Sequence, residues 1–361
     1  MHLDQACKAL RSGELVAIPT ETVYGLAADA TNPAAVARIF AAKERPAFNP
    51  LIVHLGNQEQ LHRYAAVHPL VDRLAVFWPG PLSILLPRRS TIPDIVTAGS
   101  DLCAFRIPDH PLTLQLLQQL RLPLAAPSAN ISNQRSPTNA AMVTAQLSNR
   151  IAGVLDGGQC AVGLESTVVQ IIADNTVQIL RPGAIGCVEL IAQGIQCVAF
   201  RPSGLDASAE SDRLLAAAPQ MAGPRQQGLL SPGQLRRHYS PAVPLILLPE
   251  PGLWQASVWD QVRTILQDQQ WHRLAVLDFG NSQIAATLGR NMEGRPISIT
   301  ASQNLSSRGD LIEAGAALFG SFDALAANGR PDAIIACKVA DKNIGIAIND
   351  RLHRASSFEP A

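Results

Sequence analysis

The sequence predicts an α/β fold in two parts: a domain with a partly parallel sheet over residues 1–200, and a smaller α/β domain over residues 244–361. Three observations carry that expectation. Short apolar runs of strand length alternate with helix-forming stretches through the first part, the pattern of packed α/β layers. Ser, Ala, Gln, Gly and Pro dominate residues 201–243 and strand-like runs are missing there, which is linker composition. After Pro244 the alternation resumes over a length that suits a second domain.

The elements follow in order. Leu15 to Ile18 is a short apolar run ending at Pro19, as a buried strand would. Asn32 is a good N-cap, Pro33 suits the first helical position, and residues 34–43 are rich in helix formers. Residues 51–55 read as a strand and 58–77 as helical stretches. Further strands are expected at 83–86, 103–107, 124–126 and 153–155. Ser136-Pro137 reads as a helix opening with Ser as N-cap. Runs 166–172 and 177–180 flank Asp174-Asn175, a hairpin signature. In the second part, strands are expected at 245–248, 274–277 and from 332, with helices near 258–267 and 309–319.

Composition removes several function classes. Of 361 residues, 47% are hydrophobic, enough for sizeable cores. Lys+Arg and Asp+Glu are both 29 and aromatics are 4%, so the basic excess and stacking rings of a nucleic-acid binder are lacking. The six cysteines are scattered without a C-x-x-C pair, and no Cys/His spacing supports a zinc site. The start, Met-His-Leu-Asp-Gln, has no charged stretch leading into an apolar one. No apolar run approaches the roughly 18 residues of a membrane span. A soluble cytoplasmic protein with reduced cysteines is the expectation. P-loop, dinucleotide-binding and nucleophile-elbow motifs are also missing, so any phosphate is handled by other means.

The polar residues of the first part gather where strands end and helices begin, the ligand-binding edge of an open α/β sheet. Thr20-Glu21-Thr22 follows the first strand, as either a capping turn or a small-ligand contact. Lys43 and Arg45 close a helix before Pro46, Asn49 and His54. They suit the helix dipole, and they equally suit a phosphate clamp, a point charge beside a bidentate fork. Arg106 lies in an apolar strand, where a buried cation needs a carboxylate or an anionic ligand. Ala126-Pro127-Ser128-Ala129-Asn130 supplies small residues and hydroxyls through which a ligand reaches backbone. Gly163-Leu164-Glu165-Ser166-Thr167 and Leu180-Arg181-Pro182-Gly183 add hydroxyls and another cation.

Together PTETVYGL, KERP, NPLIVH, WPGPLS, FRIPDHP, APSAN, SPT, GLESTV and ILRPG resemble, in this order, the YrdC-like family of threonylcarbamoyl-AMP synthases. The resemblance covers roughly residues 1–200. LSPGQLRRHYSP and the ending GIAINDRLHRAS resemble the long, two-domain branch of that family. It implies a YrdC-like twisted open mixed sheet around a concave active-site cavity, then a linker over 201–243 and a Rossmann-like domain. It further implies a nucleotidyltransferase that makes threonylcarbamoyl-AMP from L-threonine, bicarbonate and ATP with release of pyrophosphate. A downstream tRNA threonylcarbamoyl-transferase complex would consume the product without needing stable contact, with weak or no direct nucleic-acid binding.

Carried residue by residue, the resemblance puts threonine near Thr22, His54, Arg106, the backbone of Ala126, and Ser166. It puts ATP against Lys43, Arg45, Asn49, the backbone at Leu102, Ser128, Asn130, Ser136 and Arg181. Lys43 and Arg45 would be the catalytic cations. Mg²⁺ is expected, held mainly by the ATP phosphates rather than by dedicated protein ligands. Arg236, His238 and Tyr239 of the linker are the expected lid. Ala27, Asn133 and the run Gln234-Leu235-Arg236 depart from the family pattern, Asn133 standing where Gly is common. Two other functions compete with this reading. One is an RNA-binding module, which the zero net charge disfavours; the other is a carbamoyl-adenylate former of hydrogenase maturation, whose extra zinc regions this chain lacks. A C-terminal domain that is structural, or binds a partner, is equally open.

Overall fold

A computed structural model describes residues 1–200 and 239–361, with Glu293 and Arg295 excepted. The described residues divide into two compact units, 1–132 with 136–200, and 133–135 with 239–361.

The first unit is built on ten strands: β1 (Val16–Ile18), β2 (Gly25–Asp29), β3 (Ile52–His54), β4 (Leu82–Pro87), β5 (Leu102–Arg106), β6 (Leu124–Ala125), β7 (Gly153–Val154), β8 (Thr167–Ala173), β9 (Thr176–Arg181) and β10 (Gln196–Val198). Their order across the sheet is β10-β9-β8-β4-β5-β3-β6-β2-β1-β7. Pairings are mixed: β3–β5 and β4–β8 are parallel, while β4–β5, β3–β6 and β8–β9 are antiparallel. The hairpin read around Asp174-Asn175 is β8–β9. Helices α1 (Leu3–Arg11), α2 (Pro33–Lys43), α3 (Pro111–Leu120), α4 (Ala140–Leu147) and α5 (Cys187–Ala192) accompany the sheet.

Local chemistry explains the boundaries that matter for function. Asn32 caps α2 by accepting from the amides of Ala34 and Ala35, as its sequence position predicts. The helix stops at Lys43 because Glu44 adopts a left-handed C-cap, φ 52°. One inner layer packs Tyr24, Leu26, Ile39, Val53, Ile84 and Phe105 into a continuous core. The stretch 58–77 is broken into short turns, Leu61–Tyr64 and Leu70–Leu74 among them, rather than long helices.

The second unit holds a four-stranded parallel sheet of β11 (Leu245–Leu248), β12 (Arg273–Asp278), β13 (Ser298–Asn304) and β14 (Ala333–Cys337), in the order β11-β14-β12-β13. Helices α6 (Ala256–Asp268), α7 (Ile284–Asn291), α8 (Leu311–Ala327) and α9 (Gly345–Ala355) complete it. Parallel strands joined by helices are the Rossmann-like pattern expected for this region.

Two features differ from the reading of the sequence. Cys187 at the start of α5 and Cys197 in β10 are joined by a disulfide, although the cysteine spacing had pointed to reduced thiols. The fold returns the chain so that the two Cα atoms lie 5.5 Å apart. Ser136 does not cap a helix either. The next helix, α4, starts at Ala140 with Asn139 as its cap, accepting from the Met142 amide.

Candidate active site

Three neighbouring strands deliver the central residues. β3 and β5 run parallel with His54 paired to Arg106, so both side chains leave the same end of the sheet on one face. β6 lies antiparallel to β3 with Leu124 opposite His54, and the chain after it becomes the Ala126–Asn130 loop. The Ala126 amide is held by the Ile52 carbonyl at 3.0 Å.

Lys43, at the end of α2, is 1% exposed. Its Nζ donates to the carbonyls of Ser128 and Asn130, each at 2.5 Å, tying the helix to the loop. Burial, and then the neighbouring Arg45, push its pKa well below the usual lysine range; Glu165 opposes them. Arg45 forks onto Asn49, donating to its carbonyl at 3.1 Å and its side chain at 2.7 Å. Asn49 and Asn130 are both buried.

A second group forms at the start of β8. Ser166 shares a hydrogen bond with Ser83 at 2.8 Å. Arg181, buried at the end of β9, donates to the Ser166 carbonyl and hydroxyl at 2.9 and 3.0 Å. Ser136 donates to Glu165. Gly183 cannot be replaced here, since a Cβ would lie 2.3 Å from the Thr167 amide.

The first motif joins both groups. The Tyr24 amide donates to the Pro137 carbonyl, and Ala129 donates back to Tyr24. Thr20 is the capping turn of the plain reading: its hydroxyl accepts from the amides of Thr22 and Val23. The Thr22 hydroxyl meets that of Thr20 at 2.8 Å. Glu21 faces Arg106 at 2.6 Å. Its other oxygen accepts from the Asp109 amide at 3.1 Å. Arg106 Nε donates to the Gly80 carbonyl, so WPGPLS supports the arginine.

His54 is buried, and burial followed by the Arg106 charge pushes its pKa down to about 3. The ring is therefore neutral at ordinary pH, and its Nδ1 has no hydrogen-bond partner. A neutral imidazole, a guanidinium and a hydroxyl cluster suit a small polar anion. The lysine–arginine–amide group around Lys43 suits phosphate.

The structure thus brings Thr22, His54, Arg106, Ala126 and Ser166 together with Lys43, Arg45, Asn49, Ser128, Asn130, Ser136 and Arg181 through one hydrogen-bonded set of loops. Leu102 opens β5, roughly 13 Å along the strand from Arg106 at the other end. Arg236 and His238 lie outside the described residues. Tyr239, expected in the lid, lies in the second unit with its ring 1% exposed, stacked on Phe319 with centroids 5.5 Å apart and 5.2 Å from the Arg351 guanidinium. Asn133, at φ 68°, adopts the left-handed backbone that Asn tolerates, which is how it stands in for glycine. Glu21 and Glu165 belong to the site but had no assigned role; their signal was a carboxylate inside each of two hydroxyl-rich motifs. Among the described residues no cluster of three or more His, Cys, Asp or Glu could hold a metal, and no helix is long and apolar enough to cross a membrane.

Comparison with known proteins supplies the family. A family model described as "Telomere recombination" matches residues 8–183, and one described as "Threonylcarbamoyl-AMP synthase, C-terminal domain" matches residues 195–357. A threonylcarbamoyl-AMP synthase of Bacillus subtilis is 34% identical, across 98% of this chain and 93% of its own length. One of Pyrococcus abyssi is 33% identical, across 97% and 92%. The crystal structure of P. abyssi Sua5 complexed with L-threonine superimposes with a TM-score of 0.79 at 30% identity, covering 99% of this chain and 95% of that one. Similarity that runs through both units at nearly full length leads to one assignment: the chain belongs to the threonylcarbamoyl-AMP synthase family, in its two-domain form.

Proposed function

We propose that this chain is an ATP-dependent nucleotidyltransferase that joins L-threonine, bicarbonate and ATP into threonylcarbamoyl-AMP and releases pyrophosphate. Its product would supply a cytoplasmic tRNA threonylcarbamoyl-transferase complex. One observation carries the reading: a threonine-complexed relative matches the whole chain, and the residues proposed for threonine and phosphate meet in one cluster.

The chemistry needs no protein nucleophile. Threonine's amine and bicarbonate yield a carbamate and water, and one carbamate oxygen then attacks the α-phosphorus while pyrophosphate leaves. The protein's contribution is position and charge. Arg106 receives the threonine carboxylate, and neutral His54 offers a hydrogen-bonding ring without competing charge. Lys43 is held rigid by two carbonyls; phosphate charge beside it would favour the protonated form that burial and Arg45 disfavour, and with Arg45 and Arg181 it would then stabilise the phosphates. The donor set there is cations, hydroxyls and amides, which fits phosphate oxygens. Mg²⁺ would therefore be held through the phosphates, supplying charge neutralisation.

Mass spectrometry of the protein with ATP, Mg²⁺, L-threonine and bicarbonate tests the proposal. A threonylcarbamoyl-AMP peak that disappears when any one is omitted is expected; no such peak from folded protein would overturn it.

A further inference from the structure

Glu21 and Arg106 are an ion pair of an unusual kind. Their atoms approach to 2.6 Å, yet Glu21 Oε1 and Arg106 Nη2 are both buried without an aligned hydrogen bond. His54, on the strand beside Arg106, has its buried ring against the backbone of Ile52 and Leu124, with no aligned hydrogen bond at Nδ1. Buried polar atoms are nearly always satisfied in native proteins, because leaving one unmade costs its full desolvation. Glu21 Oε1 and Arg106 Nη2 have each other at 2.6 Å, and an ion pair met without an aligned hydrogen bond leaves both groups with capacity for a polar ligand. The pair is also anchored from behind. The far oxygen of Glu21 accepts from the Asp109 amide and Arg106 Nε donates to Gly80, so neither group can swing away to find another partner.

An anchored carboxylate beside an anchored guanidinium presents one negative and one positive charge side by side. A zwitterionic α-amino acid presents the mirror of that pattern, with ammonium and carboxylate on adjoining atoms. Glu165, the other carboxylate among the buried residues of this unit, accepts from Ser136 and acts electrostatically on Lys43, on the phosphate side. Glu21 is therefore the acid placed to meet an ammonium at Arg106. We propose that Glu21 binds the ammonium of the amino-acid substrate, so that the Glu21–Arg106 pair selects a zwitterion over a plain carboxylate. This inference rests on the reading of the Arg106 cluster as the threonine site.

The test uses the full chain and two probes, L-threonine and 2,3-dihydroxybutanoate, which replaces the ammonium with a hydroxyl. Dissociation constants are measured by calorimetry on wild type and Glu21→Gln, which keeps the shape and an acceptor for Asp109. Threonine affinity should fall about 10- to 100-fold, as for loss of a charged partner in a desolvated site. Affinity for the hydroxy acid should hold or rise, because Arg106 loses its competing charge. An equal fall for both probes would mean that Glu21 only holds Arg106 in place, and would overturn the proposal. An unchanged threonine affinity would overturn it too. Wild type carries the test alone if the variant does not fold: it should prefer threonine by at least about 10-fold, and equal affinity for both probes defeats the inference. Binding of neither probe to wild type would instead overturn the underlying threonine reading.

Discussion

Beside the first unit's Arg106, which faces a carboxylate at 2.6 Å without an aligned hydrogen bond, the second unit's Arg351 shows how this chain buries charge for architecture alone. Arg351 is fully buried, and its Nη1 donates to Asp350 Oδ2 at 2.7 Å. Arg354 Nε bonds both oxygens of the same Asp350, at 3.0 and 3.1 Å. Next to them, Asn349 accepts from the Val339 amide and donates to Val339 and Asp341. None of these atoms is left without a partner. At the β3–β5 edge, Glu21 and Arg106 face one another without an aligned hydrogen bond. The same residue types are thus used differently: saturated hydrogen bonds lie within α9 and tie it to residues 339–341, while the Glu21–Arg106 pair keeps hydrogen-bonding capacity unused. The other described pair with unmet atoms, Arg135 and Asp323, face one another as an ion pair.

That contrast predicts different effects of mutation on activity. Arg351→Ala leaves Asp350 buried with half its cationic partners, and breaking a buried pair this way costs about 3–5 kcal/mol. Urea unfolding measures it; a loss below about 1 kcal/mol would erase the distinction drawn here.

Arg106→Gln should differ in activity. It removes the hydrogen bond to Gly80 and the cation facing buried Glu21, so it too should cost up to about 3–5 kcal/mol of unfolding free energy. Threonylcarbamoyl-AMP formation should fall at least about 100-fold, equivalent to about 2.7 kcal/mol of lost binding to the transition state. A folded variant with near wild-type turnover would show that Arg106, like Arg351, is structural.

The comparison also marks what the sequence could reveal. Strand positions and the α2 cap were readable because they depend on nearest neighbours: Asn32 and Pro33 specify a helix start wherever they stand. Arg106 was readable as an anomaly, a cation inside an apolar strand. The partner that resolves the anomaly, Glu21, was not, because it is 85 residues away and the pairing exists only once β5 and the turn after β1 are assembled. Ser136 misled for the same reason: its local pattern is a cap, but its hydroxyl goes to Glu165 across the fold. Tyr239 could not be placed either, since a linker motif carries no mark that its ring packs on Phe319 and Arg351. The Cys187–Cys197 disulfide needed the return of β10 beside α5, which spacing alone does not encode.

The smallest effect expected is a pH dependence, and it separates the two units without any substrate. Folded His54 has a pKa pushed down to about 3 by burial and then by Arg106, against about 6.5 in an unfolded chain. Above pH 6.5 neither state holds the proton and His54 contributes nothing to the slope. Below it the unfolded chain takes up a proton that the folded one refuses until about pH 3, so stability falls as the solution is acidified. The slope approaches about 1.4 kcal/mol per pH unit, a total loss of about 2 kcal/mol by pH 5 relative to high pH. The Arg351–Asp350–Arg354 set contains no histidine. Urea midpoints of wild type and His54→Gln, compared from pH 7 to 4.5, isolate the effect, since carboxylate titrations common to both proteins cancel in the difference. Converging stabilities at low pH are expected as the wild type loses ground. Parallel curves would mean that His54 takes up its proton without penalty, and that this edge of the sheet is not the closed, cationic surrounding that the geometry describes.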